Sequence, residues 1–243
     1  MEEEQPAEIL TKSQQKKKRK QEHWEQKKKY QKEQKQKKKK KKHRVSCLYK
    51  NNREEWDKRK NEGLKVIIDC DFESYLTEKE KSSLKQQIMY CYAVNKRSEH
   101  PINLILTGVS QGLKEDIDKV SYGNWPLEMH PESYLEKFNK DNLVYLTADS
   151  ENELEIFDTN NVYIIGGLVD HNRLKMITHN KATEQGIKTT KLPILKYIKL
   201  ERSTVLTVNH VAELIIKYHE TGDWQLSINN AIPPRKIAKL SQD

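Results

Sequence analysis

Residues 163–173 read Tyr-Ile-Ile-Gly-Gly-Leu-Val-Asp-His-Asn-Arg, an apolar run that ends in two glycines and then in charged and amide side chains. A strand that stops at Gly166 and Gly167 can bring its backbone close to a ligand or take a positive φ. Asp170, His171, Asn172 and Arg173 then stand at the strand's carboxyl end, the edge at which open α/β sheets bind ligands. A carboxylate there can take a proton or position a bound molecule. The run has neither G-x-G-x-x-G nor G-x-x-x-x-G-K, which argues against a dinucleotide fingerprint and a P-loop. A plain glycine turn with solvated charges is the other reading of the same residues. A second group is Asp69, Asp71 and Gln87, since an acid ending an earlier strand would face the same sheet edge. The Asp69-x-Asp71 pair could hold magnesium, but no phosphate-binding loop accompanies it. An N-cap or turn carboxylate is the simpler role for Asp69.

These residues need strands and helices to bring them together. Residues 64–69, 102–108, 143–148 and 162–167 are short apolar runs of the kind buried on both faces of a parallel sheet. A helix is expected over 77–95, opening on Thr77 with Glu80 three residues on, the capping-box spacing. Further helices are expected near 54–61, 174–185 and 208–219, the last with Val211, Leu214, Ile215 and Tyr218 at core-facing spacing. Residues 192–194 and 204–207 read as short extended pieces, and 151–155 as a polar or helical crossover. Strands alternating with helices define an α/β fold.

The 243 residues are 35% apolar and 33% charged, unevenly distributed. Residues 1–44 carry 18 Lys and Arg against 7 Asp and Glu, a net +11, so the whole-chain +9 leaves −2 for the rest. This tail is low-complexity Lys, Gln and Glu without a core of its own, disordered or helical, and could be a solvating segment or a nuclear localisation signal. Its charge favours a polyanion, and the lack of Leu and Phe in the basic run favours nucleic acid over a membrane surface. Cys47, Cys70 and Cys91 form no C-x-x-C and have no His at ligand spacing, so neither zinc nor a disulfide is expected. No apolar run is long enough to span a bilayer, and the acidic start does not read as a signal or transit peptide. A cytoplasmic or nuclear location is expected.

With four other segments, the 163–173 run resembles the eukaryotic tRNA position-9 guanine N1-methyltransferase family of the SPOUT superfamily. The others are Ile-Asp-Cys-Asp-Phe at 68–72, Tyr-Leu-Thr-Ala-Asp-Ser at 145–150, Leu-Thr-Val-Asn-His-Val at 206–211 and Ile-Pro-Pro-Arg-Lys at 232–236. The likeness covers about residues 64–236. It implies a SPOUT-type, mostly parallel sheet with a deep trefoil knot near the C-terminus, an exception to the rule against knotted chains. The implied organisation is a lysine-rich RNA-binding tail (1–44), a helical linker (45–63), the methyltransferase domain (64–236) and a short C-terminal tail (237–243).

The resemblance further implies that S-adenosylmethionine lies bent in the knot, held by loops with Leu146, then Gly166, Asp170, His171, Asn172, Arg173, Leu174 and Thr178, then Leu192, then Thr204, Val205 and Leu206. By composition alone each of these leucines reads first as a plain core residue. Asp170 is the implied general base, with Asp69, Gln87 and Asn172 around the reaction and no metal. Neutral guanine carries a proton on N1, which must leave as that nitrogen attacks the methyl group. The implied partner is tRNA, met by Lys16, Lys17, Lys18, Arg19 and Lys20 of the tail and by Lys191, Arg235 and Lys236. Lys191 stands where the family usually has Arg and loses the bidentate fork, while Arg235 and Lys236 could be a solvated pair. A monomer is expected, the tail giving reach that dimeric relatives obtain from a second subunit. Adenine N1 as acceptor, or a non-catalytic RNA-binding scaffold, are the alternatives.

Overall fold

The structure is a computed structural model that describes residues 52–121, 125, 127–170, 173–200 and 206–237, with Gln21, Trp24, Glu25, Lys28, Lys29, Lys32 and Glu33. The chain divides into two compact units, Met1–Leu48 and Tyr49–Asp243. In the first, the seven described residues are all helical, and the Lys28 ammonium lies 4.6 Å from the centre of the Trp24 ring. Lys16, Lys17, Lys18, Arg19 and Lys20 lie outside the described residues.

The second unit opens with α1 (Arg53–Glu62), capped by the Asn52 side chain and anchored by buried Trp56. There follow β1 (Lys65–Asp69), α2 (Glu78–Asn95), β2 (Asn103–Thr107), α3 (Gln111–Ser121), β3 (Glu128–Met129) and α4 (Tyr134–Lys137). The chain continues through β4 (Leu143–Leu146), β5 (Val162–Gly166), α5 (Ile177–Glu184), β6 (Lys188–Thr190), α6 (Ile194–Tyr197), α7 (Val208–Thr221) and α8 (Trp224–Ala231). The Thr77 hydroxyl accepts the Glu80 N–H at 3.4 Å and the Glu80 carboxylate accepts the Thr77 N–H at 2.8 Å, so α2 begins with the capping box its sequence specifies.

All six strands pair in parallel, in the order β3-β2-β1-β5-β4-β6. β1 and β4 are buried on both faces, which is why they read as unbroken apolar runs. Alternate residues feed two cores. Val66, Ile68, Val144, Leu146, Tyr163 and Ile165 join the side covered by α2, α7 and α8. Ile67, Leu143, Tyr145, Val162 and Ile164 pack on the other side with Tyr134 and Ala182. Each such aliphatic side chain contributes about 1.5–3 kcal/mol on burial. On the first side the Trp224 ring of α8 packs tilted against Tyr218, their centres 4.1 Å apart, and donates its indole N–H to Glu155 O at 2.7 Å, fixing the C-terminal helix to the loop after β4.

Strand order changes direction between β1 and β5, with Asp69 opposite Gly166 in register. Sheets with such a reversal bind ligands beyond the carboxyl ends of their strands. The sheet and the course of the chain through α7 are consistent with the expected C-terminal knot. Of the two forms expected for residues 151–155, the polar one is present and the helical one is not; Glu153 bridges to Lys191 beside the sheet. One local expectation differs. Residues 192–194 are not extended but lead into α6, because the local strand lies one step earlier, in the polar Lys188–Thr190.

Candidate functional site

The loops that leave β4, β5 and β6 meet the start of α7 around a cavity of about 260 Å³. Its walls include Leu146, Thr147 and Asp149 after β4, and Gly166, Asp170, Leu174 and Thr178 after β5. Lys191, Leu192 and Leu195 follow β6, with Leu206, Val208 and Val211 at the α7 end. The register explains the convergence, because Leu146 pairs with Ile165 on one side and Thr190 on the other.

Gly166 is a wall residue because of what stands opposite it. A Cβ built there would lie 2.6 Å from Thr178 Cγ2, and one on Gly167 would lie 2.6 Å from Asp69 O. Both glycines are needed for close approach rather than for a left-handed backbone, since positive φ among the described glycines occurs at Gly108, Gly186 and Gly222. Met176 is the described non-glycine residue with a positive φ, 61°, at the N-cap of α5, where the chain turns from the cavity wall into the helix.

Asp170 closes a turn beside the cavity. Its Oδ2 accepts the Leu174 N–H at 2.6 Å and its carbonyl accepts the Arg173 N–H at 3.1 Å. Arg173 does not line the cavity; its guanidinium donates to Tyr75 O at 3.0 Å and lies 3.5 Å from Glu80, tying this turn to the start of α2. His171 and Asn172, like Thr204 and Val205, lie outside the described residues.

Asp69 is differently placed. It is 1% exposed. One carboxylate oxygen accepts from the Tyr145 hydroxyl at 2.8 Å and from Lys181 Nζ at 2.8 Å, and the other from the Asp71 N–H at 3.1 Å. Burial pushes its pKa up, against the opposing pull of Lys181 and the hydrogen bonds. Burial likewise drives the Tyr145 phenol well up, keeping it a donor to Asp69. Gln87, on α2, is buried with its amide nitrogen donating to Ser83 Oγ at 3.3 Å and its Oε1 unpartnered, and it does not line the cavity.

Lys191 lines the cavity, as do Leu146, Leu192 and Leu206, the leucines expected in the cofactor loops. Arg235 and Lys236 belong to a 3-10 turn, Pro234–Lys236, and Lys236 Nζ lies 3.5 Å from His210 Nδ1. The sequence reading missed Asp149, Ile177, Leu195 and Val208 as wall residues. Their signal was position: each lies within a few residues of a strand end or a helix start. Among the described residues no group of three His, Cys, Asp or Glu could hold a metal ion.

An all-parallel α/β sheet whose last three strands open onto one loop-walled cavity defines a ligand-binding α/β domain, and its likeness to solved Trm10 structures makes that domain one of the SPOUT type. The chain belongs to the tRNA (guanine(9)-N(1))-methyltransferase TRM10/TRM10A family, whose model matches residues 8–237. It is similar to tRNA methyltransferase 10 homolog A of Rattus norvegicus, 43% identical over 178 residues, 72% of this chain and 53% of that protein. It is also similar to the tRNA (guanine(9)-N1)-methyltransferase of Schizosaccharomyces pombe, 42% identical over 187 residues, 74% of this chain and 61% of the relative. The chain thus spans little more than half the length of these curated relatives. The crystal structure of the full-length spTrm10–SAH complex matches at a TM-score of 0.65 and 41% identity, over 70% of this chain and 95% of the other. The dual-specific Trm10 of Thermococcus kodakaraensis, 17% identical with a TM-score of 0.54 over 70% of this chain and 99% of that one, shares the fold.

Proposed function

We propose that this chain is an S-adenosylmethionine-dependent tRNA methyltransferase that forms N1-methylguanosine at position 9. The observation that carries this reading is the cavity beyond β4, β5 and β6, which joins a flat Gly166 wall to a carboxylate at Asp170. The residues present suit the cofactor. Leu146, Leu192 and Leu206 offer apolar walls for a purine, Thr147 and Thr178 place hydroxyls, and Gly166 lets Thr178 pack close against the strand end in the cavity wall. A structure 41% identical over most of the domain holds S-adenosylhomocysteine (SAH), the product of such a transfer.

Bound there, S-adenosylmethionine supplies an electrophilic methyl group. The protein must orient the acceptor nitrogen toward it and remove the N1 proton. Asp170 is the carboxylate at hand, and its bond from the Leu174 N–H fixes one oxygen in the cavity wall. Asp69 is a poorer candidate, because it is buried behind Tyr145 and Lys181 and does not line the cavity. Transfer RNA is the proposed substrate partner, with the tail, Lys191, Arg235 and Lys236 on its path. The protein acts as a monomer in the cytoplasm or nucleus.

Nucleoside mass spectrometry of tRNA incubated with the protein and S-adenosylmethionine tests the reading. N1-methylguanosine is expected from a tRNA with G9 and is lost when G9 is replaced. N1-methyladenosine from an A9 transcript would move the assignment to adenine. SAH binding without any methylated product would leave a scaffold.

A further inference from the structure

Helix α5 is held by polar ties at residues 178, 181 and 185, a spacing that places them on one stripe of the helix. The Thr178 hydroxyl donates to Thr147 Oγ1 at 3.0 Å, just past β4. Lys181 Nζ donates to Asp69 Oδ2 at 2.8 Å and Asp71 Oδ2 at 3.1 Å, at the end of β1. Gln185, the C-cap, accepts from the Tyr134 hydroxyl at 2.5 Å. Ala182 is fully buried on the same face.

The middle tie is the unusual one. The Lys181 side chain is 16% exposed, and its ammonium lies 4.4 Å from the centre of the Phe72 ring and 5.6 Å from that of Tyr134. An ion pair so far from water repays little of its desolvation, and apolar side chains of similar size would stabilise the fold as well. What a charged pair adds is a fixed length between two elements. That length matters here because α5 begins at the cavity. A Cβ on Gly166 would stand only 2.6 Å from Thr178 Cγ2 and 3.4 Å from Tyr145 Oη, and Tyr145 donates to the same Asp69 oxygen as Lys181. A small slide of α5 therefore moves Thr178 against or away from the Gly166 wall.

We infer that Lys181, clamped by Asp69, is a positioning residue of the methyl-transfer site, setting where α5 places Thr178 and the cavity wall without itself lining the cavity. The inference rests on the function proposed above. Lys181→Met alone leaves the Asp69 carboxylate buried without its cation and should destabilise the chain. The double variant Asp69→Asn/Lys181→Met removes both charges at nearly constant volume and is the decisive one. In the full chain it should keep a cooperative thermal melt and its tRNA affinity in filter binding. Its SAH affinity by titration calorimetry should fall about tenfold, and single-turnover methylation by up to about 10²-fold, as for small misplacements remote from the reacting atoms. A folded double variant within twofold of wild type in SAH affinity and rate would overturn the inference. So would equal losses of tRNA and SAH affinity, which would mark the pair as a general stabiliser. If the wild-type chain neither binds SAH nor methylates tRNA, the proposed function fails first and the inference with it.

Discussion

Asp69 ends β1 and Asp170 lies just beyond the end of the neighbouring β5, and their surroundings separate them. Asp69 is enclosed by three donors, whereas Asp170 lines the cavity and spends one oxygen on the Leu174 N–H. The sequence marked both, because an acid after an apolar run is visible locally. It could not rank them, since the cation that occupies Asp69 comes from Lys181, 112 residues away. Two substitutions divide the work of Asp170. Asp170→Asn keeps an oxygen for the Leu174 N–H and should leave SAH and tRNA binding near wild type, while single-turnover methylation falls by about 10²–10⁴-fold, the usual worth of general-base help. Asp170→Ala also loses the turn and should weaken SAH binding as well. An Asn variant within a few-fold of wild type at every pH would assign the proton to solvent and leave Asp170 an ordering role.

At the scale of elements, long apolar runs and local caps were legible and polar edges were not. The strands β1, β2, β4 and β5 follow from unbroken apolar residues, and α2 from Thr77 and Glu80. The strand β6 is Lys-Thr-Thr and β3 has two residues, so neither carries a pattern; both exist because a neighbouring strand offers an edge. Helices α3 and α8 were also unmarked, and α8 takes its place from Trp224 packing on Tyr218. The capping box makes an element-level prediction. Hydrogen bonds from Thr77, the backbone one first, hold the Glu80 carboxyl below its ordinary value of 4.5. Its stabilising contribution is therefore fully present above that value and is lost as pH falls through the lowered one. Urea unfolding should show wild type more stable than Glu80→Gln at neutral pH, the gap closing once pH drops below 4.5. Thr77→Ala should cost about 1 kcal/mol at neutral pH. A gap between wild type and Glu80→Gln that does not change with pH would mean that the carboxylate charge adds nothing to the cap.

For the whole molecule, charge is divided along the chain as sharply as structure is: +11 over residues 1–44 and −2 over the remainder. The cavity, its loops and the sheet all belong to the second unit, so on the proposed function cofactor binding and RNA attraction fall to different parts of the sequence. If the tail supplies most of the contact with tRNA phosphates, its deletion removes cations whose binding releases condensed counterions. A chain lacking residues 1–44 should bind tRNA more weakly at low salt, and its log affinity should fall less steeply with log salt. SAH affinity should be unchanged. The activity lost at low tRNA concentration should return as tRNA is raised toward saturation, because the deletion spares Asp170 and the cavity walls. Filter-binding isotherms at several salt concentrations, with SAH calorimetry on the same two proteins, decide it. An unchanged salt slope would place the tRNA-binding cations in the second unit, whose net charge is negative, and would require a basic face formed by residues such as Lys191 and Lys236 to do the binding alone.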